Sequence, residues 1–452
     1  MRNAYVIACC LLGAVAASWA RALTAGTLSA VGATHLVWPA AIVGVLAALA
    51  GRHHLRAADD RDLSWGTLIG GALLIQLAAT LALPLTSNDL WSNVAYGRMA
   101  AHGYNPYVVG PSVLPAGDAV RALIDPLWLD MPITYGPIIT TVCAIAGRAG
   151  DMIGNLLAFK ALVLAATLSS LWLAARLCRV QFGPAEARTR FVMFAWCPLL
   201  AWELAGQAHN DAILLLALLG FAWAATRERP VVAALCLAAG IASKFVAAPV
   251  AVFYLVATAR SSLRRAVALA LVMAAVCALV TLPWWHGSDT FGALWALLAP
   301  KNVRTTRSIL DLISIASMPL GDGAHHVIYS VAAMVALLLS IAVAGIGCLR
   351  TRTVADAIHY AMLFLLCNDL VSLAWFQPWY ITWLLPLALV HPDVRWLRLV
   401  VTYAALTLAA YVLPIDPVSN VAIDLYIGWR TVSLVRASGG VWTSHRGDAA
   451  RL

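Results

Sequence analysis

The residues best suited to chemistry in this chain are a few acids, a histidine and several cations that interrupt long apolar runs. The first group lies in Ser87–Tyr107, SNDLWSNVAYGRMAAHGYNPY, directly after the apolar run 65–85. A carboxylate at the mouth of a hydrophobic segment is costly to hold there, so Asp89 reads as a catalytic carboxylate at a membrane–water boundary. Ser87, Asn88 and Asp89 equally suit the start of a helix, and a cap accounts for the same residues. The second group is Glu203 with His209-Asn210-Asp211, set in CPLLAWELAGQAHNDAILLL. A hairpin between apolar helices needs only small turn residues, so a Glu, a His and an Asp exceed that need. An Asn-Asp cap is the plainer account.

Three further groups are ionisable or aromatic. Lys244, in ASKF (242–245), stands within an apolar hairpin and must snorkel or find an anion. Lys301, Arg304 and Arg307 in PKNVRTTRSILD are spaced three apart, so on a helix they share one face. Such a trio suits a lipid phosphate or pyrophosphate, or general contact with anionic lipid. WFQPWYITWLLP (375–386) carries Gln377 among Trp375, Trp379, Tyr380 and Trp383. These aromatics fit an interfacial belt, and they would also stack on a sugar ring or an isoprenoid chain. No Gly-rich phosphate loop, HExxH or GxSxG occurs. The nine cysteines show no CxxC or Cys/His metal spacing, so they read as buried hydrophobes. No cofactor is indicated, and no divalent metal either.

These groups must be positioned by helices. The chain has 452 residues, 62% hydrophobic and 11% charged, with mean hydropathy +0.84. A soluble domain is about one-quarter charged, so the expected fold class is an all-α polytopic membrane protein. The net charge of +9 lies mostly in short interhelical loops, where it sets orientation and meets lipid headgroups; nucleic acid is not implied. Apolar runs from 4–23 to 395–413 predict about 12 to 13 transmembrane helices, the first of them uncleaved. The Arg-rich connections 51–61, 176–190, 226–229, 259–265 and 350–353 belong in the cytoplasm by the positive-inside rule. Loops 86–134 and 285–325, with the links 207–211 and 375–379, then share the outer face. The segment 135–148 is apolar but short, so a re-entrant or half-inserted helix is expected. Residues 1–436 form a single domain, and 437–452 read as a disordered tail.

Taken in order, residues 87–107, TYGP (134–137), CPLLAWELAGQAHND (197–211), ASKF (242–245), VRTTRSIL (303–310) and QPWYITWLLP (377–386) resemble the polytopic GT-C glycosyltransferases that use polyprenyl-phosphate sugars. Within that superfamily they look most like the bacterial polyprenol-phosphate-mannose-dependent mannosyltransferases. The resemblance covers residues 65 to 390; each piece is weak alone and the ordered set is more specific. It implies a multi-pass protein of the bacterial inner membrane with its site facing the periplasm. The donor would be a polyprenyl-phosphate sugar, mannose by the closest resemblance, and the acceptor a hydroxyl on a lipid or glycan.

In such enzymes an acid in the first large outer loop is the general base, the place Asp89 holds here. Lys301, Arg304, Arg307 and Lys244 would stabilise the donor phosphate. Asn88, Arg98, Tyr135, Glu203, His209, Asn210, Asp211, Gln377, Trp379, Tyr380 and Trp383 would contact sugar or acceptor, with His209, Asn210 and Asp211 alternatively orienting the base. One departure is the pair of helices before 65–85, whereas simpler members place the loop directly after the first helix; an extra N-terminal hairpin would reconcile the two. A single base suits inversion, yet Asp211 or Glu203 could supply a second carboxylate, so both stereochemical outcomes stand. A lipid-linked polysaccharide ligase or polymerase is the nearer alternative. A secondary transporter, with Lys244, Glu203 and Asp211 as an ion path, is the more distant one.

Overall fold

The computed structural model describes residues 2–28, 45–46, 49–54, 63–292, 309–372, 376–410 and 418–438. Among them there is no β-strand, and the fold is a helical membrane bundle. In chain order the helices are α1 (Arg2–Ala25), α2 (Trp65–Thr80), α3 (Asp89–Ala101), α4 (Pro137–Gly147), α5 (Met152–Gln181) and α6 (Pro184–Ala195). They continue with α7 (Asp211–Thr226), α8 (Pro230–Ser243), α9 (Ala248–Ser261), α10 (Leu263–Thr281) and α11 (Ile309–Ser317). The last are α12 (Asp322–Arg350), α13 (Val354–Cys367), α14 (Leu385–Val390), α15 (Val394–Ala410) and α16 (Val418–Ser438). Among the described residues, five stretches are long and apolar enough to cross a membrane: 2–25, 152–181, 263–284, 322–350 and 354–371. Six further apolar helices of 10–17 residues pack among them.

Local chemistry sets the boundaries. Ser64, Asp151 and Ser262 cap α2, α5 and α10 through their side chains, and Thr353 with Asp356 forms a reciprocal capping box at α13. Proline opens α4, α6 and α8, where its missing N–H costs nothing.

Several apolar runs that read as single spans are broken. Residues 190–206 divide into the end of α6, a break at Cys197-Pro198, and a π-helical turn at Ala201–Gly206. Pro198 has no N–H to continue the ladder. The run 378–391 is a 3-10 turn, Pro378–Trp383, followed by the short α14. The run 355–375 ends its α-helix at Cys367 and passes into a second π-helical turn, Asn368–Ser372. α16 is a helix that hydropathy alone does not flag, because Asp424, Arg430 and Arg436 dilute it. Its end takes in 437 and 438; the rest of the expected tail, 439–452, lies outside the described residues.

The arrangement separates two ends of the bundle. Arg-rich connections meet at one end, where Arg260 donates to the carbonyls of Cys348, Leu349 and Thr351. Arg190, fully buried, donates there to Leu389, His391 and Pro392. α7 and α8 run away from the opposite end and back to it, so Asp211 and Lys244 meet there.

Short helices extend that same end. α3 and α4 pack side by side in the same direction, closely enough that a Cβ on Gly97 would strike the Cys143 carbonyl. The 11 residues of α4 extend about 16 Å at the helical rise, roughly half a hydrocarbon core. Arg98 ties the far ends of these helices to the loop and to α5. It donates to Asp118 at 2.6 Å, to Asn155 Oδ1 at 2.9 Å and to the Gly150 carbonyl at 3.3 Å.

Candidate active site

Five chain breaks converge on one volume: the start of α3, the residue before α4, the π turn with the start of α7, the end of α8, and the 3-10 turn Pro378–Trp383. Asp89 is the first residue of α3, and its carboxylate does not cap that helix. Asn88 occupies the cap position without a side-chain cap bond; its amide donates to the Leu123 carbonyl. The Ser87 hydroxyl accepts from the Asp89 amide at 3.1 Å. The cap explanation therefore fails for the Asp89 carboxylate. Its Oδ2 faces the Tyr135 hydroxyl at 3.5 Å and His209 Nδ1 at 3.6 Å.

His209 is the centre of the cluster. Its Nε2 lies 3.3 Å from Glu203 Oε2, and its ring stacks on Trp379 with centroids 3.8 Å apart. The side chains grade inward in exposure, 31% for Asp89, 2% for His209 and none for Glu203. The backbone is bent to achieve this. Glu203 belongs to the π turn, and Ala208 holds φ +56°, a left-handed conformation that costs a non-glycine residue on the order of 1–3 kcal/mol. Such distortions gather where side chains must be aimed.

Asp211 is likewise no cap. Asn210 caps α7 without a side-chain bond, and both Asp211 oxygens are engaged elsewhere. Oδ2 takes Lys244 Nζ at 2.7 Å and Oδ1 takes Trp383 Nε1 at 2.6 Å. Lys244 also sits over the Tyr135 ring at 4.8 Å and the Trp383 ring at 5.9 Å. Tyr380 stacks on Trp383 with centroids 4.1 Å apart, and Gln377 opens that 3-10 turn with its carbonyl on the Tyr380 amide. Tyr135 is held on both sides: its carbonyl accepts from Tyr107 at 2.8 Å, and the next residue's amide donates to the Ser243 carbonyl at 2.9 Å.

The structure thus brings together Asp89, Tyr135, Glu203, His209, Asp211, Lys244, Trp379, Tyr380 and Trp383. Asn210 joins through Asn93, whose amide donates to the Asp89 carbonyl at 2.8 Å while its Oδ1 accepts from Asn210 at 3.0 Å. Arg98 is not brought there: nine residues beyond Asp89, about 13 Å along the helix, it is spent on Asp118 and Asn155. Lys301, Arg304, Arg307 and Trp375 lie outside the described residues.

Three residues that hold the site escaped the sequence reading. Asn93 is one; its signal was the four-residue spacing from Asp89, which places both on one helix face. Lys160, 8% exposed, donates to the carbonyls of Ala82 and Gly206 at 2.7 and 2.8 Å. It joins the segment leading to Asp89 with the segment leading to His209. A lone lysine inside NLLAFKALVL was signal enough. Gln207 accepts from the Leu85 amide at 2.8 Å beside it.

Asp118 lies in the loop outside the membrane-spanning helices. Burial pushes its carboxyl up, but the hydrogen bonds and charge of Arg98, with the amides of Val120 and Arg121, outweigh that and hold it below its ordinary value. Among the described residues no group of three or more His, Cys, Asp or Glu side chains is placed to hold a metal ion.

The fold is a helical membrane bundle with a carboxylate–imidazole–carboxylate row at one end. The chain is one of a known group: the family described as "Alpha-(1->6)-mannopyranosyltransferase, N-terminal domain" matches residues 4–260, more than half of the sequence, and the chain belongs to that family. It is 32% identical over 141 residues to alpha-(1->6)-mannopyranosyltransferase B of Corynebacterium glutamicum, covering 30% of this chain and 23% of that protein. It is 30% identical over 145 residues to an alpha-(1->6)-mannopyranosyltransferase of Mycobacterium tuberculosis, covering 31% and 24%. A probable alpha-(1->6)-mannopyranosyltransferase of Mycolicibacterium smegmatis matches at 30% identity over 159 residues, covering 34% and 28%. The matched stretch thus spans about a quarter of the length of these curated relatives. No solved structure matches the chain.

Proposed function

We propose that this protein is an integral-membrane mannosyltransferase that moves mannose from a polyprenyl-phosphate donor to an acceptor hydroxyl on a lipid or glycan at the outer face, with Asp89 as general base. One observation carries the reading: Asp89 is free of any capping duty, reaches solvent, and is backed by His209. In the reaction the acceptor O–H breaks as its oxygen bonds to the sugar C1. The proton passes to Asp89, and the C1–O bond to phosphate breaks with its electron pair leaving on the polyprenyl phosphate. The acceptor oxygen needs only partial deprotonation in the transition state, so a carboxylate of modest basicity suffices. Lys301, Arg304 and Arg307 are the proposed partners of the departing phosphate. Trp379, Tyr380 and Trp383 offer ring faces to the sugar or the lipid.

The α-(1→6) linkage is taken from the names of the relatives. Inversion is favoured because a retaining route needs a second carboxylate at the sugar. Asp211 is consumed by Lys244 and Trp383, and Glu203 stands behind His209. The same pairing weakens the transporter alternative, since Lys244 and Asp211 neutralise one another.

The test is transfer of radiolabelled mannose from polyprenyl-phosphate mannose to membrane acceptors by purified protein, wild type beside Asp89→Asn. The expected loss is about 10²- to 10⁴-fold, the usual share of a general base. Undiminished transfer by a folded Asp89→Asn protein removes Asp89 from the mechanism.

A further inference from the structure

Glu203 is fully buried, does not reach the exposed edge of the site, and yet sits 3.3 Å from His209, whose ring stands behind Asp89. A buried carboxylate beside an imidazole selects which ring nitrogen carries the proton. A proton on Nε2 faces Glu203 and leaves the Nδ1 lone pair toward Asp89. The 3.3 Å Nε2–Oε2 and 3.6 Å Nδ1–Oδ2 separations are both approaches rather than hydrogen bonds, and acid–base contacts in unliganded sites are often long and shorten with substrate bound. Trp379 stacked on the ring restricts its rotation. The charged and titratable groups around His209 are Asp89 from α3, Glu203 from the π turn, Asp211 with its partner Lys244, Tyr135 before α4, and Tyr380.

We infer that Glu203 is a positioning residue that acts on the reaction through His209, so that the proton Asp89 takes from the acceptor is shared onto His209 Nδ1. This rests on the function proposed above. The proton balance is closed: the acceptor O–H breaks, Asp89 Oδ2 receives the proton, and the N–H then formed on Nδ1 leaves an imidazolium between two carboxylates. Asp89, the exposed member, returns the proton to water before the next turnover. Glu203 is thereby moved from the sugar contacts, where the resemblance would place it, to the support of the base through His209.

The experiment is a double-mutant cycle on the purified full chain with polyprenyl-phosphate mannose, measuring kcat and donor KM for wild type, Glu203→Gln, His209→Gln and the double variant. Glu203→Gln is expected to lower kcat about 10²-fold, the scale of a misplaced catalytic group, with KM unchanged. The double variant should be no slower than His209→Gln alone, because a group that acts through another has no effect once that other is gone. Glu203→Asp, which keeps the charge, should regain part of kcat and serves where Glu203→Gln folds poorly. Additive losses in the cycle, or a rise in KM at constant kcat, overturn the inference while leaving Asp89 as base. No transfer by wild type from this donor overturns both it and the proposed function.

Discussion

Replacing Lys244 by Met should destabilise the protein strongly, and its partner decides by how much. Lys244 Nζ meets Asp211 Oδ2 at 2.7 Å, with the lysine side chain 11% exposed and the aspartate fully buried. Removing the ammonium leaves a buried carboxylate whose remaining hydrogen bond comes from the Trp383 N–H. Breaking one side of such a pair costs about 3–5 kcal/mol. Asp211→Asn should cost less, because the stranded ammonium is nearer solvent and keeps the faces of Tyr135 and Trp383. The double variant Lys244→Met/Asp211→Asn strands no charge, and its amide oxygen still accepts from Trp383, so it should recover most of the loss. Unfolding followed by fluorescence of the 18 tryptophans in detergent ranks the three. If Lys244 instead holds the donor phosphate, Lys244→Met keeps wild-type stability and loses donor affinity. A Lys244→Met protein within about 1 kcal/mol of wild type, or losses that simply add in the double variant, would refute the pairing argument.

Two other outcomes follow from the end of the bundle that carries the site. Gly97→Ala drives a methyl into the Cys143 carbonyl, so α3 and α4 must separate. The expected cost is about 1–3 kcal/mol, seen as a lower unfolding temperature with Asp89-dependent transfer reduced, whereas Gly428→Ala, with open space around it, serves as the control. The second concerns pH. Asp118 is held below its ordinary value of 3.8, so its pair with Arg98 contributes stability that is present above that value and is lost as pH falls through the lower folded one. Unfolding measured from pH 7 downward should therefore show a loss below about pH 4 that Arg98→Gln removes; a loss of the same size in both proteins would assign it to other carboxylates.

How much of this was legible depends on which kind of signal a residue leaves. Asp89, His209 and Asp211 announced themselves as ionisable groups inside apolar sequence, and their helix starts fall where the turn residues say. What local sequence cannot express is the partner. Asn93 and Asn210 pair across 117 residues, Asp211 and Trp383 across 172, and nothing in either segment names the other. The cap accounts were sound for the residue types and fail only because the carboxylates are drawn to His209 and Lys244. Arg98 shows the converse: its place in a polar outer stretch suggested a ligand contact, but helical rise carries it to the far end of α3. The π turns were hidden for a different reason. They lie within longer apolar runs that read as continuous helices, and neither run carries a local signal for a widened turn.

The identity of the base then turns on exposure rather than on charge. Asp89 and Asp211 each begin a helix, where the dipole favours a carboxylate by about 0.3–1 kcal/mol, so neither is singled out by its element. Lys244 neutralises Asp211 and Trp383 occupies its second oxygen. Glu203 has no exposed surface and lies on the inner side of His209. Asp89 alone of the three combines a solvent-reaching carboxylate, 31% exposed, with an imidazole on its inner side. A base must accept a proton from something outside the fold and pass it on, and that requirement is met by position. A chain with the same three acids but with Asp89 and Glu203 exchanged in depth would hold the same charges and have no group able to reach an acceptor hydroxyl.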